Sequence, residues 1–519
     1  MAIIRKADSA DIALLLEGTY PYISGGVSSW VHQMVTAFPE YRYAIVFIGS
    51  NPDEYGQPRY QMPDNVVHLE THFLHEKHGE SETKPRKGDP QTMQTVRELH
   101  DWFRSGSTEG GDAVFKALAS MLLDSKDVGE AEFLYAKTSW EYICQQYRER
   151  CTDPSFVDYF WTVRSMHEPL WTLARVTQNL IPVRLFHTVS TGYAGYLGAL
   201  LKNKRLKPLL TSEHGIYTKE RKIDLFQSNW VRDNRDAFQK HASELSYFRS
   251  LWIRFFQGLG LACYDASDKI VALYENNRLR QVEDGAPAER TLNIPNGIKL
   301  TRFAPIRPNR DDSPKSPPIL CLLGRVVPIK DIKTFIRGMR TVANELPNAE
   351  GWIVGPDNED PAYAQECRDL VESLGLSNNV KFLGFQKPED IFPKVKLLIL
   401  SSISEALPLS LLEGYAAGIP AVTTDVGSCS QLIYGLTDED KALGPSGEVV
   451  PIANPEALGR ACLRLLSHFD VWQACQAAAV ARVERFYTDD LMFGRYRTLY
   501  QELLGETATP DTTDTETVA

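Results

Sequence analysis

Residues 396–424 read KLLILSSISEALPLSLLEGYAAGIPAVTT: an apolar run, a helical pattern opened by a proline, and a second apolar run. Two short β-rich runs joined through a helix are what a parallel βαβ unit looks like in sequence, because parallel strands are buried on both faces and need a crossover between them. Within the stretch, Glu405 and Glu413 have seven residues between them. On one continuous helix they would stand roughly 12 Å apart along the axis and about 80° apart around it, too far to share a proton. Pro408 suits the first helical position, so the helix is expected to begin near it, with Glu405 in the preceding loop and Glu413 a turn or more inside. Leu407, at the expected cap, has no side-chain oxygen to offer. The amides around Leu409 and Ser410 are thereby left for an anion. Taken alone, the pair also reads as a first-turn carboxylate and a solvated helix residue, so the rest of the chain has to decide.

Working outward, the same alternation recurs. IALLLEG (12–18), YAIVFIG (43–49), RLFHTV (184–189), PLLTSEHG (208–215) and KIVALYE (269–275) precede APIRPNRDDSPKSPP (304–318), a proline-rich stretch that reads as an interdomain linker. PILCLLGR (318–325), GWIVGP (351–356), VKFLGF (380–385), KLLILSS (396–402), PAVTTDVGS (420–428) and GEVVP (447–451) follow it. Strands alternating with helices predict an α/β class with two Rossmann-like domains, 1–305 and 319–485, and an active site in the cleft at the carboxyl ends of their strands. Residues from about 88 to 180, rich in Trp and Tyr, predict a helical insertion in the first domain whose aromatics pack its own core rather than a partner. The tail 506–519 has no apolar periodicity and is expected to be disordered.

At 519 residues the chain is too long for one core, and its 43% hydrophobic and 24% charged residues are ordinary for a soluble globular protein. A net charge of −11 argues against nucleic acid as the partner, while leaving room for a local basic groove. The eight cysteines are scattered without a CxxC pair, which suits a reducing compartment. The N-terminal MAIIRKADSADIALLLEG reads as a first strand rather than a signal peptide, and no run reaches the roughly 18 apolar residues of a membrane span. A cytoplasmic protein without a transmembrane segment is expected.

Four segments are candidates for chemistry. TYPYISGGVSSWVHQMV (19–35) sets Gly25 and Gly26 before a helical pattern, a loop expected to be free for positive φ and suited to close approach by a phosphate or sugar; it is not GxGxxG. GRVVPIKD (324–331) places Arg325 and Lys330 just past a strand, where two cations can clamp a diphosphate and stabilise a leaving group. TSEHGIYTKERK (211–222) ends a strand in Glu213, His214 and Gly215, His214 being either catalytic or a structural histidine. HLETHFLHEKH (68–78) has His68, His72, His75 and His78 at spacings that would hold zinc on a helix, but it lacks HExxH and reads as an exposed loop, so no metal is expected. No GxSxG elbow, Walker A loop or Cys–His signature is present.

Together, GTYPYISGGVSSWVHQMV, TSEHGIYTKERK, IPNGI, GRVVPIKDIKTFI and SEALPLSLLEGYAAGIPAVTTDVGSC resemble the retaining GT-B glycosyltransferases that carry two Glu separated by seven residues, and most closely those of Pel exopolysaccharide synthesis. The resemblance runs from about residue 11 to 500. It implies a GT-B fold whose first domain takes the acceptor, whose second binds the nucleotide sugar, and whose segment 486–505 crosses back to the first. It implies further that Glu413 meets the ribose, Glu405 the donor sugar, the Leu409 and Ser410 amides the diphosphate, and Arg325 with Lys330 its phosphates. Gly25 and Gly26 then face the diphosphate and sugar, and His214 lies near the reacting centre. Asn296 and Gly297 line the cleft, Gly355 and Phe385 seat the base, and Arg221 is a weaker candidate for phosphate. The catalytic set implied is Glu405, Lys330, Arg325 and His214.

The activity implied is retaining transfer from a UDP-sugar donor to a growing polysaccharide acceptor, with UDP as product, no cofactor and no metal. Cations and helix amides would neutralise the departing UDP. The implied partners are membrane-bound Pel synthase components, which would recruit the protein to the inner membrane face. EALPLS stands where many members have a Phe-Gly pair, which leaves the donor sugar open. Two other readings share the features: a UDP-sugar 2-epimerase of the same fold, and a nucleotide-sugar-binding subunit without turnover, against which Glu405, Lys330 and Arg325 speak.

Overall fold

A computed structural model describes residues 2–75, 86–105, 111–124, 133, 135–151, 155–227 and 247–506. The chain divides into two compact units: Met1–Ala272 with Asn277–Asn293 and Arg497–Ala519, and Leu273–Asn276 with Ile294–Tyr496. The tail expected to be disordered lies, from residue 507, outside the described residues, as does His78.

The first unit carries β1 (Ala2–Arg5), β2 (Ile12–Glu17), β3 (Tyr43–Gly49), β4 (Val66–Phe73), β5 (Leu185–Thr188), β6 (Leu209–Glu213), β7 (Lys269–Ala272) and β8 (Thr291–Asn293) in one sheet ordered β1-β4-β3-β2-β5-β6-β7-β8. Only β1 runs antiparallel, against β4. Every residue of β3, and all of β2 except Glu17, is buried, as their unbroken apolar composition requires. The chain winds from β2 outward to β4 and then returns to place β5 on the other side of β2. That reversal makes the carboxyl ends of β2 and β5 a topological switch point, where open α/β sheets bind ligands.

One expectation fails here. HLETHF is neither an exposed loop nor a helix; it lies in β4 and is buried from His68 to His72. A spacing of four positions fits a strand's period of two as well as a helix, so His68, Glu70 and His72 share one face. Each histidine Nε2 stands beside Glu70, at 3.7 Å for His68 and 3.6 Å for His72. Burial pulls the Glu70 carboxyl up, but the two flanking histidines outweigh it and hold it down at about 2.

The insertion is helical as expected, in Pro90–Ser105, Gly111–Asp124, Lys137–Arg150 and Phe156–Asn179. Its aromatics divide. Tyr142, Tyr159 and Trp171 are buried in its core, whereas Trp140 and Trp161 are 51% and 58% exposed.

The second unit is built on six parallel strands: β9 (Ile319–Leu323), β10 (Glu350–Val354), β11 (Val380–Gly384), β12 (Leu397–Leu400), β13 (Ala421–Thr424) and β14 (Gly447–Val450). Their order, β11-β10-β9-β12-β13-β14, reverses between β9 and β12. The proline-rich stretch 304–318 is part of this unit and not a linker. Its Arg310 guanidinium is buried and donates to the carbonyls of Phe392 at 2.8 Å and Val395 at 2.9 Å, which ties the stretch down. The chain passes between the units at 272–277, 293–294 and 496–497 instead. The last crossing falls inside the helix Asp489–Leu504, whose residues to Tyr496 belong to the second unit and from Arg497 to the first.

Candidate functional site

At the switch point of the second unit, the loop after β9 meets the loop after β12. Pro328–Lys330 forms a single 3-10 turn and Asp331 follows at φ 43°, accepting from Thr334 N to cap the helix Ile332–Glu345. Ser401 Oγ holds this turn by donating to the carbonyls of Lys330 and Asp331, both at 3.0 Å. Lys330 Nζ is thereby delivered to Glu405 Oε1 at 2.5 Å, and Ser402 Oγ donates to the same oxygen at 2.6 Å. Gly427, at φ 54°, lets the loop after β13 lie against this backbone: a Cβ there would stand 2.3 Å from the Glu405 carbonyl and 2.5 Å from that of Ala406.

The helix bearing Glu413 is Leu409–Ala416, with Pro408 at the cap, one position later than Leu407. No side chain caps it, so its first amides have no capping acceptor from the N-cap residue. Glu413 is half-buried, and burial pushes its carboxyl up to about 7; Arg302 pulls the other way and Glu389 adds to the rise. Arg302 itself is held by Glu389 at 2.5 Å.

Arg325, Gly355, Phe385, Asn296 and Gly297 also fall in this unit, with different surroundings. Arg325 is engaged by both oxygens of Glu359 at 2.7 Å, an exposed pair that an incoming phosphate can displace at little cost, since such pairs are worth about 0–1 kcal/mol. Gly355, at φ 150°, passes so close to the Gly324 carbonyl that a Cβ would stand 2.0 Å from it, and its N–H donates to Gly384 O at 2.8 Å. Phe385, just beyond, is 76% exposed, as a ring awaiting a stacking partner would be. Asn296 and Gly297 pack on the segment at Thr488, where a Cβ on Gly297 would stand 2.1 Å from the Thr488 carbonyl; Asn296 Oδ1 is buried without a partner.

Gly25, Gly26, His214 and Arg221 belong to the first unit. The expectation of positive φ at the glycine pair is corrected: Gly25 is extended at φ 174° and Gly26 has no positive φ. What the pair provides is room, because a Cβ on either would meet nothing within 4 Å. At this unit's switch point a pocket of about 640 Å³ opens, lined among others by Glu17, Thr19, Val27, Tyr193, His214 and Arg221. Glu17 accepts from Tyr217 Oη at 2.9 Å and from Ala194 N at 3.2 Å, capping the helix Tyr193–Arg205. Gly192 makes this possible, since a Cβ there would stand 2.5 Å from Tyr217 Oη and 2.7 Å from Glu17 Oε2.

Glu213 is buried and receives four donors: Thr191 Oγ1 at 3.0 Å, Tyr217 N at 2.9 Å, Tyr264 Oη at 2.6 Å and Gln281 Nε2 at 3.1 Å. Burial pushes its carboxyl up, and these donors offset part of the rise. Burial lowers His214 to about 4, so its imidazole is neutral, and Trp30 meets it edge-on with ring centroids 4.6 Å apart. Arg221 lies over the Tyr217 ring at 5.1 Å and pairs with Asp224 at 3.4 Å.

Among the described residues, no group of three or more His, Cys, Asp or Glu is gathered to hold a metal, and no helix is long and apolar enough to cross a membrane.

Two parallel-sheet α/β units with these switch points are the GT-B glycosyltransferase fold. HepE of Anabaena, solved in complex with UDP, matches 95% of this chain and 100% of its own at TM-score 0.56 and 12% identity. Sucrose-phosphate synthase of Thermosynechococcus elongatus matches 95% of this chain and 99% of its own at TM-score 0.55 and 15% identity. The chain belongs to the family described as "Domain of unknown function (DUF3492)", which its residues 10–289 match. Residues 306–479 match "Glycosyl transferases group 1". Among curated proteins, the exopolysaccharide phosphotransferase SCO2592 of Streptomyces coelicolor is 30% identical over 250 residues, which cover 47% of this chain and 24% of that protein. The D-inositol 3-phosphate glycosyltransferase of Nocardia farcinica is 27% identical over 179 residues, covering 32% of this chain and 40% of that protein. The chain thus spans between a quarter and about half the length of the curated relatives it matches.

Proposed function

We propose that the protein is a retaining, UDP-sugar-dependent glycosyltransferase that elongates a Pel-like exopolysaccharide. The observation that carries the reading is the Lys330–Glu405 pair at 2.5 Å, set beside an uncapped helix start at the switch point of the second sheet. A cation, a carboxylate and a row of open amides suit a sugar diphosphate: Lys330 and the amides of Leu409 and Ser410 take the phosphates, and Glu405 takes sugar hydroxyls. Glu413 receives the ribose and Phe385 stacks on the base. As the bond from the anomeric carbon to the diphosphate breaks, Lys330, Arg325 and the helix amides hold the charge that builds on the departing UDP. These residues supply that stabilisation without calling on a metal. Similar proteins support the substrate classes: HepE was solved with UDP and with UDP-glucose, and one curated relative is an exopolysaccharide phosphotransferase. Transfer on the cytoplasmic face, with membrane-bound Pel synthase components recruiting the protein, completes the proposal.

The test is the nucleotide released from UDP-glucose, UDP-N-acetylglucosamine and UDP-N-acetylgalactosamine. Glycosyl transfer releases UDP, whereas transfer of a sugar phosphate, one form that a phosphotransferase reaction can take, releases UMP. Glu405→Ala is expected to lower UDP release at least a hundredfold with the fold intact by circular dichroism. UMP as product, or full activity in that variant, contradicts the reading.

A further inference from the structure

The helix Leu409–Ala416 has only eight residues, and a helix that short does not hold its place by its own hydrogen bonds. Its two ends are finished unequally. At the carboxyl end the last four carbonyls are all taken. Glu413 O accepts from Ala417 N at 3.1 Å, Gly414 O from Ile419 N at 2.8 Å and Tyr415 O from Gly418 N at 3.0 Å. The latter two bonds, with Gly418 at φ 78°, make a Schellman closure, which by itself leaves the Ala416 carbonyl unsatisfied. Arg307 Nε donates to it at 2.7 Å, from the 3-10 stretch Ala304–Asn309, 109 positions earlier in the chain. The same guanidinium donates through Nη1 to Glu484 Oε1 at 2.5 Å, which bridges the short helix to the long helix Phe469–Phe486. Its positive charge also suits the negative end of the helix dipole. Gln476, on that long helix, seats the next turn by donating to Gly418 O at 2.9 Å. At the amino end no side chain caps the helix. The helix is therefore anchored from behind, and its open amides and Glu413 stand where that anchor puts them.

We propose that Arg307 is a positioning residue for the donor site: by closing the carboxyl end of Leu409–Ala416 it fixes where Glu413 and the first helix amides stand, and so sets nucleotide affinity from a helix length, roughly 12 Å, behind those amides. The proposal rests on the donor-site reading for UDP as the ligand, whereas the placement of Glu413 is measurable without any nucleotide. The charges that act on the Glu413 carboxyl are those of Arg302, on Leu300–Phe303, and Glu389, on Pro388–Ile391. Arg307 reaches Glu413 through the helix instead. A residue that served the fold alone would lower the melting temperature and leave both the affinity of the folded protein and the titration of Glu413 where they were.

The test makes two measurements on the full chain for wild type, Arg307→Ala, Arg307→Met, Arg307→Lys and Glu484→Ala. One is UDP affinity by calorimetry. The other is the titration of Glu413, read as the difference in the pH dependence of melting temperature between each protein and the same protein carrying Glu413→Gln. Arg307→Ala is expected to bind UDP about tenfold more weakly. Its Glu413 is expected to titrate below the value of about 7 in wild type, because a loosened helix end lets the carboxyl meet water. Arg307→Met, which keeps the bulk of the stem but no donor, is expected to behave in the same way and carries the comparison if Arg307→Ala does not fold. Arg307→Lys, which keeps a donor and the charge, is expected to recover most of both effects, and Glu484→Ala, which keeps the bond to Ala416, to lose less affinity than Arg307→Ala. Wild-type affinity and an unmoved Glu413 titration in Arg307→Met overturn the proposal, as does a loss in Glu484→Ala equal to that in Arg307→Ala. Wild type that binds no UDP would sink the donor-site reading, and the Glu413 titration then decides the positioning role by itself.

Discussion

Glu413 is where a single side chain makes the donor-site reading measurable. Its carboxyl titrates at about 7 because burial disfavours the charged form. A folded value above the unfolded one, near 4.3, gives stability that is fully present below about pH 4 and lost as pH rises through 7. The melting temperature is therefore expected to fall between pH 5 and pH 8, and Glu413→Gln to remove that part of the slope. If ribose hydroxyls donate to the ionised form, UDP affinity rises about tenfold from pH 6 to pH 8 in wild type and stays flat in the variant; an equal slope in both would exclude the contact. The sequence exposed Glu413, Glu405 and Lys330 because they sit in short motifs tied to a strand end and a helix start. It hid Glu17 and Tyr217, since Glu17 meets Tyr217 across 200 positions and Ala194 across 177. No local pattern encodes a contact of that range. Arg325 was visible as a cation, but its engagement by Glu359, 34 positions on, was not.

At the level of elements, the runs read as strands were legible because parallel strands are buried on both faces and therefore continuously apolar. β4 was missed for the opposite reason. His68, Glu70 and His72 interrupt its apolar character, and buried polar side chains that partner one another look from sequence like a surface. The helix Leu409–Ala416 has its cap, Pro408, one residue after the expected one, within the usual uncertainty of helix ends. Gly427 carries more of the site than its place in a loop suggests. Its positive φ, and the 2.3 Å at which a Cβ there would stand from the Glu405 carbonyl, leave no room for a side chain. Gly427→Ala is expected to cost about 1–3 kcal/mol of stability by denaturant unfolding and to weaken UDP-sugar binding by displacing Glu405. A variant with wild-type stability and affinity would show that the loop does not position the carboxylate.

For the whole molecule, two α/β units were expected and two are found, but the chain divides between them differently. Proline density marked 304–318 as a linker, whereas Arg310 buries that stretch in the second unit and the crossings lie in segments with no special composition. The helix Asp489–Leu504 contributes to both units, and in the first its Tyr500 hydroxyl meets buried His187 Nδ1 at 2.8 Å. Both sheets reverse their order beside their central strands, the kind of place where open α/β sheets bind ligands. The central claim is that the second unit takes a uridine diphosphate through Lys330, Glu405, Glu413 and open helix amides. Calorimetric titration of the full chain with UDP, ADP and GDP, with and without EDTA, tests it most directly. The account predicts saturable binding of UDP alone, unchanged by EDTA. A preference for ADP or GDP, or binding abolished by EDTA, would contradict it.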